Sequence, residues 1–135
     1  MIKASIGIIL NEERSKVYLS LRQAHQTYSG FWEFPGGKVE KNESYEECIK
    51  REVFEEVGII AQELELLEKK DYINKHDMHI FLEFYLITKY ESLPKAKEGQ
   101  KLKLVNIYDL NKYNILPASK SVIEKLIKLN KQIIR

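Results

Sequence analysis

Between Gly37 and Ile59 the chain reads GKVEKNESYEECIKREVFEEVGI, an order of glycine, charged and apolar residues that leaves the backbone little choice. Ser44 followed three residues later by Glu47 is a capping box, in which a hydroxyl and a carboxylate each satisfy an otherwise unpaired amide of a first helical turn. The spacing predicts a helix that starts at about Tyr45 and ends near Val57, where Gly58 supplies the positive φ needed to leave it. Along that helix Glu52, Glu55 and Glu56 stand at i, i+3 and i+4, so their carboxylates share one face. Ile49, Val53 and Val57 form an apolar stripe beside them.

Carboxylates at this spacing repel one another, and more strongly where the neighbouring stripe draws them toward a core. A divalent cation removes that cost. Carboxylates without His or Cys are hard oxygen ligands, which suits Mg²⁺ with Mn²⁺ as a substitute. Arg51, four residues before Glu55, can reach its carboxylate with a fixed guanidinium fork. Ahead of the helix, Phe34-Pro35-Gly36-Gly37 follows Phe31-Trp32, so a short strand turns sharply and brings its backbone, carbonyls included, close to whatever the acidic face binds.

The remaining sequence sets bounds on this chemistry. At 135 residues the chain holds one well-formed core, and we expect a single domain over residues 1–135. No apolar run approaches the roughly 18 residues that span a bilayer, so a soluble cytoplasmic protein is expected. The single cysteine, Cys48, fits a reducing compartment and is expected to be a small packing residue. His25, His76 and His79 lack convergent partners in the sequence and are expected at the surface. With 22 basic against 20 acidic side chains, the net charge of +2 gives no footprint for a nucleic acid polymer. Strand patterns run over Ala4–Leu10, Val17–Leu21, Glu63–Tyr72, Met78–Lys89 and Lys101–Ile107. The stretch Ala118–Arg135 is an amphipathic helix expected to cover a sheet face rather than a membrane. This order predicts an α/β or α+β sandwich with a mixed sheet between helices, and leaves strand order open.

The segment from Gly37 to Ile59 fits G-x5-E-x7-R-E-U-x-E-E-x-G-U, with U apolar, at every specified position, a coincidence expected at well below about 10⁻⁷ per start from average composition. It resembles the box of the Nudix hydrolases. Nearly the whole chain is similar to their MutT branch: Trp32 to Glu40 looks like WEFPGGKxE, Lys97-Glu98-Gly99-Gln100 contains its EGQ, and Asp109-Leu110 through Leu116-Pro117-Ala118 looks like its closing stretch. The resemblance implies the Nudix α/β/α sandwich and hydrolysis of a nucleoside triphosphate, such as 8-oxo-dGTP, to the monophosphate and pyrophosphate. Rival readings are a Nudix hydrolase of CTP, ADP-ribose or dinucleoside polyphosphates, and a non-catalytic nucleotide-binding module.

Carried over residue by residue, the resemblance implies metal ligands at Glu52, Glu55, Glu56, Glu98 and the Gly36 carbonyl. Glu52 and Glu98 compete for the role of general base. Arg51 orients the carboxylates and Glu43 lies behind them. Arg22, Glu33, Phe34, Pro35, Gly36 and Ser119 form the substrate-binding set, with Arg22 on the phosphates. The expected partner is a small nucleotide, bound by a monomer or homodimer. Three positions depart from the branch: Thr27 stands where a His is common, with His25 two residues earlier; Leu104 stands where a Trp is common; and Ser119 replaces the Asn found in forms selective for oxidised guanine.

Overall fold

The computed structural model describes residues 1–134, so Arg135, the last residue of the expected C-terminal helix, lies outside the described residues. Strands β1 (Ile2–Ile9), β2 (Lys16–Leu21), β3 (Trp32–Glu33) and β4 (Gly36–Lys38) precede helix α1 (Tyr45–Val57). Strands β5 (Ile60–Ile73), β6 (His79–Glu91) and β7 (Leu102–Asn106) follow, and helix α2 (Lys120–Ile134) closes the chain. The strands form two sheets, β4-β1-β6-β5 and β3-β2-β7. The first is mixed, with β1 parallel to β6 and antiparallel to β4, while β5 and β6 pair as a long antiparallel hairpin.

Helix α1 begins and ends where its caps dictate. The Glu47 amide donates to Ser44 Oγ at 3.0 Å, and the Ser44 amide donates to Glu47 Oε1 at 2.9 Å. Gly58 takes φ 75° and its amide donates to the Phe54 carbonyl at 3.0 Å. Ile49, Val53 and Val57 are fully buried and pack with Ile9, Ile59, Tyr85 and Ile87 against one face of the four-stranded sheet. Gly7 permits the close approach, because a Cβ there would lie 2.9 Å from Ile87 Cδ1 and 3.0 Å from Ile49 Cδ1.

A second core fills the space between the two sheets and α2, with Ile8, Leu19, Phe84, Val105, Leu110, Val122 and Leu126 among its buried residues. The alternation of Ile8 and Ile9 along β1 thus serves two cores at once. The C-terminal helix starts at Lys120, two residues later than its apolar pattern indicates, because Pro117 opens a short 3₁₀ turn over Pro117–Ser119. No helix among the described residues is long and apolar enough to cross a membrane.

One segment ties this architecture to the acidic helix. β3 pairs with β2 in one sheet and β4 pairs with β1 in the other, so Phe34-Pro35 carries the chain between sheets. Phe34 is 3% exposed and anchors the crossing in the inter-sheet core.

Candidate active site

Arg51 organises the acidic face. Its Nε and Nη2 donate to the two carboxylate oxygens of Glu43 at 2.7 and 3.0 Å, a bidentate pair. Its Nη1 donates to Glu52 at 2.9 Å and reaches Glu55 at 3.4 Å, and its Nη2 also donates to the Lys38 carbonyl at 3.1 Å. Helical spacing pairs Arg51 with Glu55, but its shorter contacts are to Glu43 and Glu52, because Glu55 stands 52% exposed while Glu52 is tucked in at 16%. Those hydrogen bonds from Arg51, with a backbone one from Glu40, hold the Glu43 carboxyl down at about 2. Glu43 is therefore a permanent anion that fixes the guanidinium, which in turn fixes Glu52.

The Pro35 bend and the start of β4 lie against this face, so Gly36 and Gly37 are strand residues where a sharp turn was expected. The Gly36 amide donates to Glu56 Oε2 at 3.0 Å, and the Pro35 carbonyl is taken by the Gly7 amide at 2.7 Å. Gly37 sits over Glu52: a Cβ at that position would collide with the Glu52 carboxylate, 2.7 Å from Oε2 even at the farther oxygen. Cys48, beneath this segment, is fully buried, and burial pushes its thiol up to about 11, so it is a packing residue without nucleophilic character.

The electrostatics of Glu56 describe what the site lacks. Burial, followed by the charges of Glu52, Glu98 and Glu33, pushes its carboxyl up to about 8, opposed only by the Gly36 amide. Burial also raises Glu52 and Glu33, despite Arg51 beside the one and Arg22 beside the other. Four carboxylates thus share a partly desolvated space with too little positive charge, and the available donors are all oxygen. This set fits a hard divalent cation. Among the described residues no three acidic, His or Cys side chains are yet gathered tightly enough to hold an ion, since Glu52 is turned to Arg51 and Glu56 to Gly36.

Two cavities adjoin this cluster. One, of about 340 Å³, is lined by Glu33, Pro35, Glu56, Glu98, Gln23 and Gln100 among others, with His25 in the wall. The other, of about 400 Å³, is lined by Arg22, Tyr28, Lys70, Tyr72 and Leu116 to Ala118. Between them stands the Arg22–Glu33 ion pair, Nη1 lying 2.9 and 3.0 Å from the two carboxylate oxygens. Thr27 accepts from the same guanidinium, through its carbonyl at 2.5 Å and its hydroxyl at 3.2 Å. The position where the branch commonly has a His thus supports Arg22, while His25 reaches the polar cavity.

Glu33, Pro35, Gly36, Glu52, Glu56 and Glu98 are brought together, with Arg22 adjoining through Glu33. Ser119 is buried at 3% and is not among the described lining of the second cavity, whose wall at that end is Pro117 and Ala118. Lys70 donates to the Ala118 carbonyl at 3.2 Å. Lys70, Tyr72 and Gln23 come from a hairpin strand and an irregular loop, and no spacing rule in the sequence points to them, whereas Gln100 closes the EGQ run already quoted, without a role read for it there.

Comparison with known proteins bears on the family and the fold. Residues 1–126 match the family model described as NUDIX domain. The chain is 38% identical over 128 residues to the 8-oxo-dGTP diphosphatase of Escherichia coli K12, covering 95% of this chain and 98% of that protein. It is 31% identical over 134 residues to the CTP pyrophosphohydrolase of the same organism, covering 96% and 93%. A solved MutT structure, from work on the Aliivibrio salmonicida and Vibrio cholerae proteins, superposes with a TM-score of 0.86 at 35% identity, covering 95% of this chain and 98% of that one.

Proposed function

The chain belongs to the NUDIX domain family, and from that premise we propose that it is a Mg²⁺-dependent nucleoside triphosphate pyrophosphohydrolase of MutT type, acting on oxidised purine nucleotides such as 8-oxo-dGTP. The observation that carries the reading is the undercompensated carboxylate cluster of Glu52, Glu56, Glu98 and Glu33 beside a polar cavity. Glu52, Glu55 and Glu56 with the Gly36 carbonyl would hold Mg²⁺, for which Mn²⁺ can substitute. Bound there, the metal supplies neutralisation of polyphosphate charge and acidifies an attacking water.

The protein's own groups do the rest. Glu43 fixes Arg51, and Arg51 fixes Glu52, so the rigid half of the site is built on α1. Glu98 stands on a loop, and its carboxylate has no hydrogen-bond partner among the described residues, which suits it to accept the proton of the attacking water while Glu52 serves as ligand. Arg22, at the junction of the two cavities, is placed to exchange Glu33 for a substrate phosphate. The larger, more apolar cavity with Tyr28, Tyr72 and Lys70 is the compartment for the base.

Activity on a nucleoside triphosphate should vanish with chelator, return with Mg²⁺ or Mn²⁺, and give pyrophosphate as the first-formed product. Purified protein against oxidised and normal nucleotides, CTP, ADP-ribose and dinucleoside polyphosphates, with pyrophosphate and orthophosphate measured separately, tests this. Orthophosphate released directly with accumulation of the diphosphate would refute it, and preference for CTP would move the substrate assignment to the pyrimidine relative's class.

Ser119, buried and next in the chain after the wall residue Ala118, is expected to limit selection of oxidised guanine. An Asn carboxamide offers a donor and an acceptor together, whereas one hydroxyl has a single hydrogen to donate, and a lost buried contact costs roughly 1 to 3 kcal/mol. Ser119→Asn should therefore raise the kcat/KM ratio of 8-oxo-dGTP over dGTP by about 10-fold. An unchanged or lower ratio would remove Ser119 from base recognition.

A further inference from the structure

The loop that carries Glu98 is fastened to the helix that carries the other glutamates. The Lys95 and Lys97 amides donate to the carbonyls of Val57 and Glu56, both at 3.0 Å, and so satisfy two acceptors that the last turn of α1 leaves without intrahelical partners. Gln100 completes the fastening with a single side chain. Its Nε2 donates to the Glu56 carbonyl at 2.9 Å, and its Oε1 accepts from the Glu98 amide at 2.9 Å. From the other side, Gln23 Nε2 donates to the Glu98 carbonyl at 3.0 Å, and Gln23 is itself held by Gln26 Oε1, which accepts from its amide at 2.7 Å.

Glu98 itself needs such a support. It is exposed, and the next residue, Gly99, turns with φ +76° and has nothing within 4 Å of where a Cβ would be. A loop tip with a left-handed glycine and no side-chain packing has many accessible conformations. The carboxylate at its apex has a defined place only if the backbone on both sides of it is held. A carboxamide of this length is suited to the task, because it offers a donor to one partner and an acceptor to the other at once.

We propose that Gln100 is a positioning residue for the reaction: by bridging the backbones of Glu98 and Glu56 it sets where the Glu98 carboxylate stands relative to Glu52 and Glu56. The inference rests on the reading of Glu98 as a catalytic group. It assigns Gln100 no contact with substrate, so its removal should reduce kcat and leave KM nearly unchanged.

A double-mutant cycle on the full chain, assayed with Mg²⁺ and the best triphosphate of the panel, tests this. Gln100→Met keeps side-chain volume and removes both hydrogen bonds, and Gln100→Ala serves as a second variant should Met perturb folding. Either is expected to lower kcat by about 10-fold or more with KM within about twofold. In a Glu98→Gln background the same substitution should cost less than about twofold, because the group it positions is already gone. Equal losses in the two backgrounds, or a single-variant kcat within twofold of wild type, would overturn the positioning role while leaving Glu98 in place. Full activity in Glu98→Gln alone would overturn the reading of Glu98 and the inference with it.

Discussion

Glu52→Gln is expected to keep the fold and to lower kcat by on the order of 10²-fold or more, with a far smaller change in substrate affinity. The substitution preserves shape, and the amide oxygen can still accept the Arg51 Nη1 hydrogen bond now made at 2.9 Å. What it removes is one negative charge from the face that would hold the metal. Burial, together with the charges of Glu55 and Glu98, already strains the ionised form of Glu52, so the neutral variant should not lose stability. Steady-state kinetics on the best substrate, with a thermal melt as control, decides the matter. Turnover within threefold of the wild type would mean that the acidic face of α1 has been misassigned.

Gly37→Ala should cost as much in activity for a different reason, and the neighbouring glycine provides the contrast. A Cβ on Gly37 would occupy the place of the Glu52 carboxylate, which is the end of a flexible side chain and can move aside. The protein should fold, but with Glu52 displaced from Arg51; since a misplacement of about 1 Å in a catalytic group can cost about 10²-fold, a kcat loss of about that size is expected. A Cβ on Gly36 would instead meet backbone, the Ser5 carbonyl oxygen and, at 2.9 Å, Ile6 Cα, where β4 pairs with β1. Gly36→Ala should therefore destabilise by about 1 to 3 kcal/mol. Melting curves and kcat on both variants separate the cases. A Gly37→Ala enzyme with wild-type turnover would show that Glu52 need not occupy the position seen here.

The sequence alone determined the local half of this protein. The limits of α1, its buried stripe of Ile49, Val53 and Val57 and its shared face of Glu52, Glu55 and Glu56 follow from capping chemistry and a fixed helical period, which act over one or two turns. Most strand positions were legible for the same reason, although Gly36 and Gly37, expected in a sharp turn, lie in strand β4 paired with β1, and β5 and β6 extend beyond their apolar alternation because the pairing of each sustains the other. The relation of distant segments had no such rule. Arg51 prefers Glu43 to the helical neighbour Glu55 because the chain before α1 folds back onto it, and Phe34 became core because the Trp32 to Lys38 segment crosses between sheets. Gln100 and Gln23 acquired their partners, 44 and 75 residues away, only through packing of the loops around α1. Side-chain chemistry and short-range periodicity fix what each segment can offer, but which groups meet depends on sheet pairing and core packing among residues far apart in the chain, and that was decided by the tertiary structure.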